Sequence, residues 1–246
     1  MLCPRVFIWD FDGTLYQQNE SLWHDIREAE YRVIMHHTGW NREKTIVEFS
    51  KVYKKIILSA TEAVARLSVI PIAVASVEME SYFDRTKYVK RDEKLISMFS
   101  SLSKYSHYIL CNGAVVGVEK TLSMLGLPKE TFVKIVTSEH AGANKPDPAG
   151  FQYIVDHYRD YSSSVYDLPA QAGKFSPATA GSNNTKFLMV GDRPLVDLAP
   201  AKALGMQTCL VWREKKPEED FIDFSVLTVY DVPKILEIGF KGQALK

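Results

Sequence analysis

Two aspartates stand directly after a short apolar run near the start of the chain. Asp10 and Asp12 follow Val6-Phe7-Ile8-Trp9 and precede Gly13. The apolar run predicts a buried strand, and the Asp-Gly pair predicts a tight turn at its end. A carboxylate held at such a turn can act as a nucleophile, and a second carboxyl beside it can act as an acid and base. Considered in isolation, an ordinary solvated Asp-Gly turn is the alternative interpretation.

Three further polar clusters lie at or just beyond the ends of later apolar runs. They are Cys111-Asn112-Gly113, Lys145-Pro146-Asp147-Pro148, and Gly191-Asp192 with Asp197. In an open parallel sheet the ligand crevice lies beyond the carboxyl ends of the strands. We therefore expect these clusters to converge on Asp10, and this convergence disfavours the solvated turn.

Such a set of groups suits the hydrolysis of a phosphate monoester, which needs a nucleophile, cations and a proton for the leaving group. Asp10 can attack phosphorus to form an aspartyl-phosphate, and Asp12 can protonate the leaving oxygen and later deprotonate water. Because two anions repel, a magnesium ion is expected between Asp10 and the phosphate. Asp192 and the backbone carbonyl of Asp12 would complete its hard oxygen ligands.

The remaining polar residues are predicted to hold the phosphate. Lys145 contributes a fixed positive charge, and the backbone N–H groups of Asn112 and Gly113 at a helix start can cradle the anion. Asp197 would orient Lys145 or a water on the metal. A first-turn acid favoured by the helix dipole is the alternative reading of Asp197.

In their order these clusters resemble those of the haloacid dehalogenase superfamily, in which the position of Cys111 carries a Ser or Thr whose hydroxyl donates a hydrogen bond to the phosphate. A thiol is a poor donor, and losing one hydrogen bond to a charged group costs roughly 1.5 to 3 kcal/mol. We therefore expect turnover lower by about tenfold to a hundredfold without being abolished. A buried cysteine acting as a small apolar side chain explains this position equally well.

The elements that must position these residues are strands alternating with helices. Five apolar runs without polar alternation predict strands that are covered on both faces, and the helical patterns between them predict βαβ units in a parallel sheet. The predicted strands are Val6–Trp9, Tyr108–Leu110, Ile135–Val136, Phe187–Val190 and Cys209–Trp212, with an edge strand at Val226–Val229 and a closing helix at Pro233–Ile238. Predicted helices begin at a cap on Asp92, after Gly113 with an end at Gly126, and at Asp147 with Pro148 as the first helical residue.

Residues 19–88 interrupt this alternation with an all-helical insertion. One helix ends at Gly39, a second begins at Asn41 and extends to Ile56, and Ser59 begins a third. The insertion leaves the core just after Asp10 and returns near Asp92, so we expect it to cover the catalytic edge as a lid. Core residues are accordingly 1–18 and 89–246. Most of the aromatic residues of the insertion are interpreted as its core, and one or two are expected to face the crevice; they are Trp23, Trp40, Tyr31 and Tyr53.

Residues 162–186 are rich in Ser, Ala, Gly, Pro and Asn and show almost no apolar periodicity. This composition predicts a long flexible surface loop within the core.

In their order, the four clusters resemble those of the haloacid dehalogenase (HAD) superfamily of aspartate-nucleophile phosphatases. The most specific matches are Gly142–Pro148 and Gly191–Asp197, followed by Ala201–Met206. The resemblance implies an α/β fold with a Rossmann-like parallel sheet, a helical cap inserted after the first cluster, and magnesium as cofactor. Dehalogenases of this superfamily lack an acid at the position of Asp12, so the chain resembles the phosphatase branch. The Thr14-Leu15-Tyr16 continuation is reminiscent of nucleotidase-like members.

Composition narrows the partners to small molecules. The 246 residues carry 30 Lys+Arg and 30 Asp+Glu, so no long-range field recruits nucleic acid or an anionic membrane. The first apolar run is too short for a signal peptide core or a membrane span, which favours the cytoplasm. Cys3, Cys111 and Cys209 have no CxxC spacing and are interpreted as reduced thiols.

The predicted activity is a magnesium-dependent phosphatase acting on a small phosphorylated metabolite. Two alternatives use the same sequence features. A phosphomutase would return the phosphoryl group to a sugar. A catalytically weak binding or scaffold protein is suggested by Cys111 and by residues 162–186.

Overall fold

The computed structural model describes residues 4–55, 59–165 and 184–241. Its centre is a six-stranded, wholly parallel sheet in the order β3-β2-β1-β4-β5-β6. The strands are β1 Val6–Trp9, β2 Ser106–Leu110, β3 Lys134–Val136, β4 Phe187–Gly191, β5 Gln207–Val211 and β6 Phe224–Val226. This order is that of a Rossmann-like α/β sheet. The predicted fold class is therefore confirmed.

The register of the central strands places the polar clusters at one edge. Trp9 of β1 pairs with Ile109 of β2 on one side and with Val190 of β4 on the other. The next residue, Asp10, donates its backbone N–H to the Val190 carbonyl at 2.9 Å. Because the three strands run parallel and in step, the residues that follow each of them emerge side by side.

Alternate residues of the central strands face two separate apolar layers. Phe7 and Trp9 belong to one layer, and Val6 and Ile8 belong to the other. All residues of β1 and β4 are buried, as the absence of polar alternation predicted.

Helices cover both faces of this sheet. They are α5 Glu93–Ser101, α6 Val115–Leu125, α7 Ser138–Ala141, α8 Ala149–Val165, α9 Ala199–Ala203 and α10 Val232–Lys241. The Asp92 carboxylate caps α5, and Gly126 ends α6 in the left-handed conformation at φ 83°, both as predicted. Helix α8 begins one residue later than predicted, since its first i→i+4 bond joins Gln152 N to the Pro148 carbonyl at 2.9 Å, and the Asp147 side chain caps it by accepting from Ala149 N at 2.9 Å.

Four helices precede α5 and share an apolar core of their own. They are α1 Glu20–Thr38, α2 Arg42–Tyr53, α3 Ala60–Ser68 and α4 Ile72–Glu80. Asn41 and Ser59 cap α2 and α3 as predicted, whereas Ile56 lies outside the described residues. Helix α4 was not predicted: Pro71 gives it no side-chain cap, and its apolar residues include both buried Met79 and exposed Val77.

Within the described residues, no single helix is long and apolar enough to cross a membrane. Helices α3 and α4 pass that test only when taken together, and they are bent by 106°.

Two predicted boundaries near the C-terminus were wrong. The edge strand is Phe224–Val226 rather than Val226–Val229, since β5 pairs through Cys209 with Phe224 and through Val211 with Val226.

The predicted loop over 162–186 is only partly described by the structure. Residues 162–165 belong to α8, 166–183 lie outside the described residues, and Asn184 is buried. The Asn184 side chain donates to the Leu204 carbonyl at 2.9 Å. The predicted loop therefore does not include 162–165, whereas 184–186 lie outside any helix or strand.

Candidate active site

Asp10 is buried at the end of β1, and both of its carboxylate oxygens have donors. Lys145 Nζ donates to Oδ1 at 2.6 Å, and Thr14 Oγ1 donates to Oδ2 at 2.8 Å. Burial alone would raise the pKa of Asp10, but Lys145, Arg193 and the two hydrogen bonds outweigh it, so the pKa is lowered. Asp10 is therefore an ionised, oriented carboxylate at neutral pH.

Lys145 is fixed both through its side chain and through its backbone. Its ammonium lies 2.8 Å from Asp197 Oδ1 and also contacts Asp10. The Asn112 side chain donates to the Lys145 carbonyl at 2.9 Å and accepts from the Lys145 N–H at 2.8 Å. Burial would lower the pKa of Lys145, but Asp10 and Asp197 raise it overall. The charge of Lys145 is thus permanent, and the Asn112 side chain serves to position it.

Three buried or half-buried carboxylates stand close together at this edge. Oxygen atoms of Asp10, Asp192 and Asp197 all lie within 4.8 Å of one another. Burial, followed by the charges of Asp10 and Asp197, raises the pKa of Asp192 to about 8. Carboxylate oxygens crowded in this way fit a hard divalent cation, which would relieve their repulsion. The Asp12 carboxyl lies outside this cluster, and coordination through its backbone carbonyl stays a prediction.

Two glycines allow this close approach. A Cβ at Gly13, whose φ is 89°, would stand 2.7 Å from Asp192 Oδ2. A Cβ at Gly191 would stand 2.6 Å from the Cβ of Asp197. Any side chain at either position would push a carboxylate out of the cluster.

Asp12 is held by two residues that the sequence analysis did not assign to the site. Its Oδ1 accepts from the Tyr16 hydroxyl and from Arg85 Nη1. Arg85, of which only 8% is exposed, also donates through Nη2 to Glu80 Oε1 at 2.6 Å. We call Tyr16, Asp12, Arg85 and Glu80 the Asp12 network. It joins the first catalytic turn to the end of α4 and to the Arg85–Lys87 turn that follows.

Cys111 contacts this network but gives the phosphate no strong donor. Its Sγ accepts from Gly113 N at 3.1 Å, and its thiol donates to Asp12 Oδ2 at 3.8 Å. Burial, reinforced by the charge of Asp12, raises the pKa of the Cys111 thiol, which is therefore neutral. The Gly113 N–H predicted to cradle an anion consequently has the Cys111 sulfur as its partner.

A cavity of about 120 Å³ lies between the sheet edge and the inserted helices. Asp10, Asp12, Cys111 and Asp192 line its floor, while Trp23, Ile26 and Glu30 line it from one face of α1. Trp23 is 52% exposed and lines the cavity, so it faces the crevice, as predicted for one or two of these aromatic residues, and does not belong to the core of the insertion. Of the other aromatic residues named with it, Tyr31 is buried and Tyr53 is 38% exposed.

The structure brings the predicted catalytic residues together at one sheet edge. Asp10, Lys145, Asp192 and Asp197 form one cluster, and Asp12, Cys111, Asn112 and Gly113 lie around it. Cys111 and Cys209 are both buried free thiols, whereas Cys3 lies outside the described residues.

Comparison with known proteins places this fold and site in a family. A model of the haloacid dehalogenase-like hydrolases matches residues 4–205, and the chain therefore belongs to that family. No curated protein matches the chain. Because this family consists of hydrolases, the chain is a HAD-like hydrolase.

Solved structures of the same family share the fold at low sequence identity. A HAD phosphatase from Thermococcus onnurineus is 18% identical, with a TM-score of 0.60 over 96% of this chain and 98% of that one. A 2-haloacid dehalogenase from Pseudomonas syringae is 15% identical, with a TM-score of 0.54 over 96% and 99%. The HAD-hydrolase YfnB from Bacillus subtilis, bound to magnesium, is 18% identical, with a TM-score of 0.52 over 95% and 99%.

Proposed function

We propose that this hydrolase is a magnesium-dependent phosphatase that cleaves small phosphate monoesters through an aspartyl-phosphate on Asp10. The observation that carries the proposal is the pairing of an ionised Asp10 with a second carboxyl, Asp12, at the same cavity. A nucleophile alone would serve several hydrolases, but an alkoxide leaving group also needs a proton donor.

In the first step an Asp10 carboxylate oxygen attacks phosphorus and the bond to the leaving oxygen breaks. Lys145 holds Asp10 in line and places positive charge beside the transferring group. Asp12 gives its proton to the leaving oxygen, so the alcohol departs neutral. Oδ2 is the oxygen suited to this transfer, because Oδ1 is occupied by Tyr16 and Arg85.

In the second step water attacks phosphorus and gives a proton to Asp12. The bond between phosphorus and Asp10 breaks, which restores the Asp10 carboxylate and releases orthophosphate. Asp12 is held at the cavity for this step by its contact with Arg85. The same side chain therefore serves as acid and then as base.

Asp10 and Asp192 would hold the magnesium ion, with the Asp12 carbonyl as a further ligand. Bound there, the ion supplies positive charge that offsets the repulsion between Asp10 and the phosphate. The three neighbouring carboxylates support this assignment, as does the magnesium reported in the related Bacillus subtilis structure.

Asp12 also favours a phosphatase over a dehalogenase, although the fold is shared with both. A halide leaves as a stable anion and needs no proton, so a dehalogenase has no use for an acid at this position. The Asp12 network instead holds that acid at the cavity with two donors.

We further propose that helices α1 to α4, within residues 19–88, act as a cap on core residues 1–18 and 89–246. Trp23 and Glu30 of α1 and Ser76 of α4 line the cavity opposite the catalytic aspartates. Ser76 also donates to the Asn112 carbonyl at 3.3 Å. A cap in this position selects the leaving group and excludes water during the first step.

Purified protein assayed against a panel of phosphorylated metabolites, with magnesium and with a chelator, tests the proposal. We expect orthophosphate release that depends on magnesium and is lost in Asp10→Asn. The matched control is Asp156→Asn, a conservative change at an exposed carboxylate of α8 that does not line the cavity. Formation of an isomeric phosphate instead of orthophosphate would indicate a mutase, and hydrolysis retained in Asp10→Asn would reject the assignment.

A further inference from the structure

Arg193 is a cation at the carboxyl edge of the sheet whose side chain is not held by a hydrogen bond at Nε. It lines the cavity together with Asp192. Among the residues that the structure describes, its side chain forms no ion pair, and its buried Nε has no hydrogen-bond partner. A buried guanidinium N–H without an acceptor is costly unless a ligand supplies one.

The other two cations of the site are fully engaged. Lys145 contacts Asp10 and Asp197, and Arg85 contacts Asp12 and Glu80. Neither can turn toward a substrate without abandoning a carboxylate. Among the cations of the described site, Arg193 is the one whose side-chain N–H groups remain available to hydrogen-bond a substrate.

The position of Arg193 brings its charge close to the nucleophile. Arg193 and Asp10 line the same cavity. The Arg193 backbone N–H donates to Asp197 Oδ2 at 3.0 Å, which fixes the start of the side chain at the catalytic edge. The guanidinium therefore stands near the place where a group transferred to Asp10 would sit, without closing a bond to Asp10 itself.

The phosphate site also lacks a donor, and the reason is Cys111. The neutral thiol accepts from Gly113 N, so it both offers no strong donor and engages a backbone N–H of the same loop. A phosphoryl group in transfer spreads negative charge over three oxygens that need donors. A planar guanidinium can give two parallel hydrogen bonds to such oxygens.

We propose that Arg193 is a further phosphoryl-binding residue, which donates to the non-bridging oxygens of the substrate phosphate in place of the hydroxyl missing at position 111. The inference rests on the proposed function, because it assigns a role within the same site. Its ligand class is a tetrahedral oxyanion, namely a phosphate monoester or orthophosphate.

The test compares Arg193→Met with Arg193→Lys and with a control, Arg91→Met, whose arginine is 62% exposed and distant from the cavity. Orthophosphate and magnesium binding are measured by calorimetry in the Asp10→Asn background, and turnover is measured with p-nitrophenyl phosphate. We expect Arg193→Met to weaken orthophosphate binding and to lower kcat/KM by about tenfold to a hundredfold. Arg193→Lys should recover part of both losses because it keeps the charge but not the paired donors.

A second substitution distinguishes donation by Arg193 to the phosphate from a role in which its charge only offsets the negative charge of the nearby aspartates. Cys111→Ser restores a hydroxyl donor, so it should raise kcat/KM by a larger factor in Arg193→Met than in the wild type. Orthophosphate affinity unchanged in Arg193→Met, with tighter magnesium binding only, would overturn the inference. So would equal effects of Cys111→Ser in both backgrounds.

The two proposals fail in different ways. If the wild type hydrolyses no phosphate ester, the proposed function fails, while orthophosphate calorimetry still tests Arg193. If the wild type hydrolyses esters and Arg193→Met matches Arg91→Met in every measurement, only the inference about Arg193 fails.

Discussion

Replacing Arg85 by methionine should destabilise the protein more than any change at an exposed arginine. The substitution keeps much of the side-chain volume but leaves the Glu80 carboxylate without its ion-pair partner, and the Glu80 side chain is only 10% exposed. Burial already raises the pKa of Glu80, and Arg85 is the first charge that opposes this effect. Removing one partner of a buried ion pair typically costs about 3–5 kcal/mol.

That cost would be a large share of a total stability of about 5–15 kcal/mol. We therefore expect the free energy of unfolding of Arg85→Met to fall by about 3 kcal/mol at neutral pH. Glu80 is also confined by its neighbours, since a Cβ at Gly117 would stand 2.3 Å from Glu80 Oε2. The Gly117 backbone therefore closes one side of the Glu80 carboxylate.

Adding Glu80→Gln to Arg85→Met should recover a substantial part of the loss, because it removes the stranded charge. Urea denaturation, followed by circular dichroism and tryptophan fluorescence, measures the free energy of unfolding of the wild type, the two single variants and the double variant. Arg91→Met serves as the control. A loss below about 0.5 kcal/mol for Arg85→Met, or a double variant as unstable as the sum of the single variants, would refute the reasoning.

Three further predictions concern pH, magnesium and substrate size. Burial lowers the pKa of His107 from 6.5 to about 4, so between these two pH values the unfolded state binds a proton that the folded state does not. As pH falls through this range, wild type should lose about 1.4 kcal/mol of unfolding free energy per pH unit relative to His107→Gln. Urea midpoints of the two proteins that stay parallel over this pH range would contradict the prediction. The pKa of Asp192 is raised to about 8, so below that pH magnesium must displace a proton from its carboxyl group. Calorimetry should show that magnesium affinity rises with pH up to about 8 and that binding releases protons. A magnesium affinity that does not change with pH would count against Asp192 as a ligand. Trp23, half-exposed in the cavity, should contact the leaving group; Trp23→Ala should raise KM several-fold for aryl phosphates but not for acetyl phosphate, and equal effects on both would exclude this contact.

The strands and the catalytic cluster could be predicted because their signals are local. Val6–Trp9 and Phe187–Val190 are uninterrupted apolar runs; Asp10 follows the first directly, and Asp192 follows the second after one glycine. In a parallel sheet that order alone brings Asp10 and Asp192 to one edge. Asp92 and Gly126 likewise mark helix ends through chemistry that acts within a few residues.

The Asp12 network could not be predicted because its contacts are long-range. Arg85 lies 73 positions from Asp12, and nothing in the sequence around Arg85 distinguishes it from a surface arginine. Tyr16 did stand within the first motif, and its separation of four residues from Asp12 was the signal available. Helix α4 was missed for a different reason, since Pro71 caps nothing and Val74 and Val77 face solvent.

The most direct test of the central claim follows oxygen during a single turnover of excess enzyme with a phosphate monoester in ¹⁸O-labelled water. If Asp10 forms an aspartyl-phosphate, water attacks phosphorus, so the label should appear in orthophosphate and the Asp10 peptide should stay unlabelled. Attack by water at the Asp10 carboxyl carbon, as in an ester formed by displacement at carbon, would place the label in Asp10 instead. Label recovered in the Asp10 peptide, or in orthophosphate released equally fast by Asp10→Asn, would contradict the account.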